Sequence, residues 1–117
     1  MGQPVVHWEI AGKDGAKLQD FYGKLFDWDI KVQAEMGNYG MVEGGEGSIG
    51  GGIFQAPDDM PAYLTFYVQS DDLQVSLNKA EELGGKTLTP PMPIPGVGSV
   101  AMFSDPEGNT VGLFKGE

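Results

Sequence analysis

Cysteine is absent from this 117-residue chain. That excludes a disulfide framework, a thiolate zinc site, an iron–sulfur cluster and a cysteine nucleophile. Histidine occurs once, at His7, so a metal site of two histidines and a carboxylate cannot be completed within one chain. Basic residues are scarce: seven Lys plus Arg stand against seventeen Asp plus Glu, a formal net charge of −10. Such a balance repels phosphate backbones and anionic membrane surfaces, and neither a nucleic-acid nor a membrane partner is expected. No run approaches the ~20 apolar residues needed to cross a bilayer. The start Met-Gly-Gln-Pro lacks the basic region and apolar run of a secretory signal, so a cytoplasmic protein is expected.

What is present suits one folded domain over residues 1–117. Hydrophobic residues make up 40% of the chain, with two Trp, four Tyr and six Phe, enough apolar surface to offset the entropy of ordering. The 19 glycines and 8 prolines gather in Gly44 to Gly52, Pro57 to Pro61 and Pro90 to Gly98, and act as punctuation between periodic segments.

Val5 to Ala11 alternates, Val6, Trp8 and Ile10 on one face and His7 and Glu9 on the other, which is the period of a strand. Asp14 then offers a helix cap, and Leu18, Phe21, Tyr22, Leu25 and Phe26 recur at helical spacing. Short strands are predicted near Asp29 to Gln33, Tyr39 to Glu43 and Ile49 to Gln55. The order then repeats: a strand over Tyr63 to Val68, and a helix capped by Ser70 or Asp71 with Leu73, Leu77 and Ala80 on its buried face. Strands near Lys86 to Thr89, Ser99 to Ser104 and Thr110 to Lys115 follow. His7 to Tyr63 and Phe21 to Leu77 are both 56 positions apart, and Gly52-Ile53-Phe54-Gln55 matches Gly112-Leu113-Phe114-Lys115 at an offset of 60. Pro90 to Gly98 reads as the loop that takes up the difference, rimming a cavity.

His7 on the first strand, Asp20-Phe21-Tyr22 on the first helix, and Phe103-Ser104-Asp105-Pro106-Glu107-Gly108-Asn109 before the last strand together resemble the vicinal oxygen chelate superfamily. That group includes glyoxalase I, bleomycin-resistance proteins and extradiol dioxygenases. The resemblance implies an α+β fold of two tandem βαβββ modules, about 4–55 and 61–115, forming a curved, partly open eight-stranded barrel with helices outside. It also implies a homodimer. Val6, Trp8, Ile10, Leu64, Phe66 and Val68 would pack under the helices, and His7, Glu9, Tyr63, Thr65 and Tyr67 would face the cavity.

Metal-dependent relatives carry a His on the first strand and a Glu on the last strand of each module. His7 matches the first position; the other three hold Tyr63, Gly52 and Gly112. Glycine has no side-chain donor and neutral Tyr is a poor ligand, so no family-type metal and no cofactor are expected.

Two readings remain. One is a binding module for a small molecule, of aromatic or cationic character, with Tyr63, Thr65, Tyr67, Phe54, Phe114 and Met102 as ligand contacts. The other is an enzyme of lyase, isomerase or dioxygenase type, either metal-free or with an atypical divalent site. In its metal-free form His7 is the general acid or base, and Glu9 raises the imidazole pKa.

Overall fold

The computed structural model describes residues 2–117. The chain divides into two compact units, residues 7–64 and residues 65–117 joined by the segment before His7.

In the first unit, strand β1 (Val5–Gly12, which begins in the other unit) leads into helix α1 (Gly15–Phe26), followed by β2 (Ile30–Gln33), β3 (Tyr39–Val42) and β4 (Gly51–Gln55). The strands lie in the order β2-β3-β4-β1. β1 and β4 are parallel, with Glu9 beside Gly52 and Trp8 beside Gly51, while β3 runs antiparallel to β4 with Met41 beside Gly52. Ile53, fully buried, anchors the sheet. Asp14 caps α1 as predicted, its Oδ1 accepting from the Lys17 amide at 3.1 Å. Asp27, at φ 58°, turns the chain out of the helix. Gln19 ties α1 to the sheet by donating to the Ile53 and Asn38 carbonyls at 2.7 and 3.0 Å.

The apolar stripe of α1 is not its buried face. Phe21, Leu25 and Phe26 are each more than half exposed. Tyr22 joins an aromatic cluster instead, stacking on Phe26 and Trp28, and Trp28 packs on Trp8 at 5.1 Å.

The second unit repeats the pattern: β5 (Tyr63–Gln69, whose first two residues belong to the first unit), α2 (Leu73–Glu82), β6 (Lys86–Ile94), β7 (Gly98–Ser104) and β8 (Thr110–Gly116). Its strand order, β5-β8-β7-β6, is the same topology. Again the first and last strands are parallel, with Tyr67 beside Gly112. Leu73 and Leu77 of α2 pack on Ala101 and Leu113, with Val68 and Phe103 at the margin. Each half therefore carries a βαβββ module.

Three sequence expectations change here. Asp72 rather than Ser70 or Asp71 caps α2, accepting from the Val75 amide at 3.1 Å; Ser70 is buried, its hydroxyl bonded to that of Ser76 at 2.7 Å. β6 runs on through Pro90, Pro91 and Pro93, where a loop was expected. It is an edge strand with register shifts between Thr87 and Met92, the setting in which a strand tolerates residues lacking an amide donor. Finally, Leu64 and Phe66, expected under the helix, are exposed at 72% and 43%, while Thr65 and Tyr67 are buried; Val68, on the same face as Leu64 and Phe66, packs against the α2 cluster as expected.

The Asp105-Pro106-Glu107-Gly108-Asn109 turn is built on one side chain. Asp105 Oδ1 accepts from the Glu107 and Asn109 amides, each at 2.9 Å, and Oδ2 from the Asn109 side-chain amide at 2.9 Å. The bonds from Asn109, side chain before backbone, hold the Asp105 carboxyl below its ordinary pKa. Gly108, at φ 88°, supplies the left-handed residue.

Candidate functional site

His7 and Glu9 lie two apart on β1 and therefore share a face of the first unit. Glu9 is buried, at 6% exposure, and both carboxylate oxygens are engaged. Tyr63 donates to Oε1 and Tyr39 to Oε2, each at 2.8 Å. The Tyr39 hydroxyl also lies 3.0 Å from His7 Nε2. The result is a continuous line of hydrogen bonds, His7 to Tyr39 to Glu9 to Tyr63, drawn from β1, β3 and the start of β5.

Phe54 completes the surface. Its ring lies 5.2 Å from that of Tyr39 and 6.2 Å from that of Tyr63, edge-on to the latter. A carboxylate is thus framed by three aromatic rings, an arrangement suited to a ligand with an apolar face and a positively polarised group.

Electrostatics adjusts the expectation for His7. Burial outweighs the attraction of Glu9, and the imidazole pKa falls below 6.5 rather than rising. Tyr63 moves the other way: burial, then the Glu9 charge and the hydrogen bond to it, push its hydroxyl pKa well above 10.0, so it remains a donor across the physiological range.

Among the predicted site residues, His7, Glu9, Tyr63 and Phe54 come together in the first unit. Thr65, Tyr67, Met102 and Phe114 lie in the second. There the register sets Tyr67 beside Gly112 and Gly112 beside Met102, with Phe114 two residues along β8. Thr65 donates to the Thr110 carbonyl at 2.6 Å. Trp8, expected in the core, is half-buried against Trp28 and donates to the Ile49 carbonyl at 3.2 Å; Phe66, also expected in the core, is exposed.

Tyr39 was not among the residues singled out from the sequence. The signal for it lies in Gly51-Gly52: paired glycines inside a strand mark places where another group comes close. A Cβ on Gly51 would enter the Trp8 indole, and one on Gly52 would overlap the Tyr39 hydroxyl and ring. Gly112 repeats the relationship in the second unit, where a Cβ would meet the Tyr67 ring.

These contacts bear on the metal centre that the resemblance brings to mind. At Gly52 and Gly112 the chain offers no donor, and the volume beside each is filled by a tyrosine ring. Among the described residues no group of three or more His, Cys, Asp or Glu is placed to hold a metal ion. The residues present do not fit a four-donor site. Nor is any described helix long and apolar enough to cross a membrane.

Comparison with known proteins places this geometry. The chain is 26% identical over 123 aligned positions to the anthracycline biosynthesis protein DnrV of Streptomyces peucetius, a match covering 92% of this chain and 45% of that protein. The chain thus spans less than half the length of that relative. Among solved structures, methylmalonyl-CoA epimerase of Streptomyces coelicolor superposes with a TM-score of 0.67 at 13% identity, covering 97% of each chain. The hypothetical protein BH1468 of Bacillus halodurans C-125 superposes with a TM-score of 0.70 at 13% identity, covering 100% of this chain and 96% of that one. Both likenesses show the fold, the α+β pairing of βαβββ modules. Residues 5–113 match the sequence model of one family, and the chain belongs to the Glyoxalase/Bleomycin resistance protein/Dioxygenase superfamily.

Proposed function

We propose that this protein binds a small molecule of aromatic or cationic character at the His7, Glu9, Tyr39, Phe54 and Tyr63 face, without a family-type metal. The observation that carries this reading is the buried Glu9 carboxylate, held by two tyrosine hydroxyls and framed by three rings. An ammonium or other N–H donor gains charge-assisted hydrogen bonds there, and a planar ring gains aromatic contact. The net charge of −10 favours such a ligand and disfavours a multiply phosphorylated one, so an acyl-CoA of the kind named for the structural neighbours fits poorly. The name of the DnrV relative, anthracycline biosynthesis, supports a ligand with fused aromatic rings. Thr65, Tyr67, Met102 and Phe114 are proposed as ligand contacts within the second unit, considered by itself.

The test is a thermal-shift screen of aromatic amines against acyl-CoA thioesters, followed by titration calorimetry of the strongest hit with the native protein and with Glu9→Gln. Stabilisation by an aromatic amine and at least about tenfold weaker binding to Glu9→Gln are expected, as for loss of a charge-assisted hydrogen bond. Stabilisation by acyl-CoA alone contradicts the reading.

A second reading rests on the continuity of the hydrogen-bond line. His7 can take a proton from a ligand while its own N–H proton passes to Tyr39 and the Tyr39 proton passes to Glu9, which avoids an imidazolium where burial disfavours one. Turnover of a bound compound, with a pH profile altered in His7→Gln, supports metal-free acid–base catalysis; an unchanged product mixture supports a binder. Association as a homodimer is the proposed assembly, supported by the exposed Phe21, Leu25 and Phe26 and checked by sedimentation equilibrium. The reading includes no nucleic-acid or membrane partner and a cytoplasmic location.

A further inference from the structure

Three hydrogen bonds in the first unit fix where protons reside. Tyr39 has one hydroxyl proton, which it donates to Glu9 Oε2 at 2.8 Å. The proton of Tyr39 therefore lies on the Glu9 side, and its oxygen presents a lone pair to His7 Nε2 at 3.0 Å. Two lone pairs facing each other at that distance would repel, so Nε2 carries hydrogen. A neutral imidazole has a single N–H, which leaves the other lone pair on Nδ1.

We propose that Tyr39 is a positioning residue that locks His7 in the Nε2–H tautomer, and that Gly52 is its seat. The seat is steric. A Cβ at position 52 would overlap the Tyr39 hydroxyl and ring, so the hydroxyl reaches both His7 and Glu9 only because residue 52 has no side chain. Tyr63 bonds Glu9 from the other oxygen and steadies the carboxylate without touching the imidazole nitrogen that Tyr39 reads. The lock also fits the burial of the site, since a neutral imidazole of defined tautomer accepts a proton with no prior rearrangement of its neighbours.

The chemical consequence depends on the acid–base reading above, but the tautomer is a property of the ligand-free protein. It is measured without knowing any substrate, so failure of catalysis and failure of the lock are distinguishable.

His7 is the only histidine, so ¹⁵N-histidine labelling gives one imidazole to observe. Long-range ¹H–¹⁵N spectra at about pH 8.5, where imidazole is neutral, should show Nε2 protonated and Nδ1 bearing the lone pair. In Tyr39→Phe the ratio of Nε2–H to Nδ1–H should fall about fivefold, the worth of one ordinary hydrogen bond. In Tyr63→Phe it should stay within about twofold of the native value. Should Tyr39→Phe fail to fold, as read from amide dispersion, Gly52→Ala displaces the hydroxyl by sterics and should lower the ratio in its place. A native spectrum dominated by Nδ1–H overturns the assignment whatever the variants do. So does an unchanged ratio in the folded Tyr39-directed variant, or a fall in Tyr63→Phe equal to that in Tyr39→Phe.

Discussion

The Tyr39 ring occupies the space that a side chain on Gly52 would need. The two residues lie on neighbouring antiparallel strands, and their complementarity in size is what brings the Tyr39 hydroxyl to Glu9 at 2.8 Å. Position 52 is one of those at which metal-dependent members of the resembling group carry a ligand. Here a donor-free residue and an aromatic hydroxyl take that place together.

Filling the seat should be costly. Gly52→Ala must push Tyr39 aside, and overpacking of this kind destabilises by about 1–3 kcal/mol. Gly45→Ala is the control, because a Cβ there meets nothing within 4 Å, and it should change stability by less than about 0.5 kcal/mol. Urea unfolding of the two variants beside the native protein decides between them.

Tyr63→Phe removes a hydrogen bond to a buried carboxylate and should cost about 1.5 kcal/mol near neutral pH. Its alkaline behaviour has a definite sign. The folded-state pKa of Tyr63 is raised above 10.0, so its stabilising contribution is present below that value and is lost as pH rises above it. The gap in stability between native protein and Tyr63→Phe should therefore narrow above pH 10.0, as followed by denaturant midpoints.

Acid acts through His7 in the opposite sense. Burial depresses its folded-state pKa below 6.5, so the unfolded chain binds more protons in the interval between the two values. Stability attributable to His7 is complete above 6.5 and declines as pH falls toward the depressed folded value, with no further change below it. His7→Gln lacks this titration, and the native-minus-variant difference in unfolding free energy should fall on acidification through that window. A difference that grows instead means that the carboxylate of Glu9 outweighs burial.

The core of the second unit should show its own asymmetry. Leu77 is fully buried, whereas Leu83, just past the end of α2, is 70% exposed. Leu77→Ala should cost about 2–5 kcal/mol and Leu83→Ala less than about 0.5 kcal/mol, both read from thermal or urea unfolding.

Much of the fold was legible because local signals and tertiary demands agree. Asp14 before a helical period and the Asp105 to Asn109 turn each have a local physical cause and each holds in the structure. The recurrence of strand and helix also holds, but at 58 residues rather than 56, with caps at Asp14 and Asp72 and Glu9 answering to Tyr67, so Thr65 and not Tyr63 stands at the position of His7. The misreadings have a common source. Apolar periodicity shows that Phe21 and Leu25, or Leu64 and Phe66, share a face, but not which face is covered, and these four are exposed. β6 was cut short at its prolines because propensity says nothing of whether a strand lies at an edge. At the site, His7 and Glu9 were visible from the period of two, while Tyr39 lies 30 residues from Glu9 in the chain and joins it only through the register of β3 on β4 and β4 on β1. The direction of the His7 pKa was missed for a similar reason, since burial is a three-dimensional quantity and the nearby carboxylate a sequence-local one.

Hydroxyl bonds from Tyr39 and Tyr63 organise the His7 and Glu9 face, and the proposed function needs no family-type metal there. The most direct measurement is elemental analysis of tag-free protein incubated with nickel, zinc, manganese and iron(II) and then dialysed exhaustively. Less than about a tenth of an equivalent of any metal should remain, since fewer than three protein ligands hold such ions too loosely to survive dialysis. Retention of about one equivalent that His7→Ala abolishes would contradict the claim and move metal-assisted chemistry to this face.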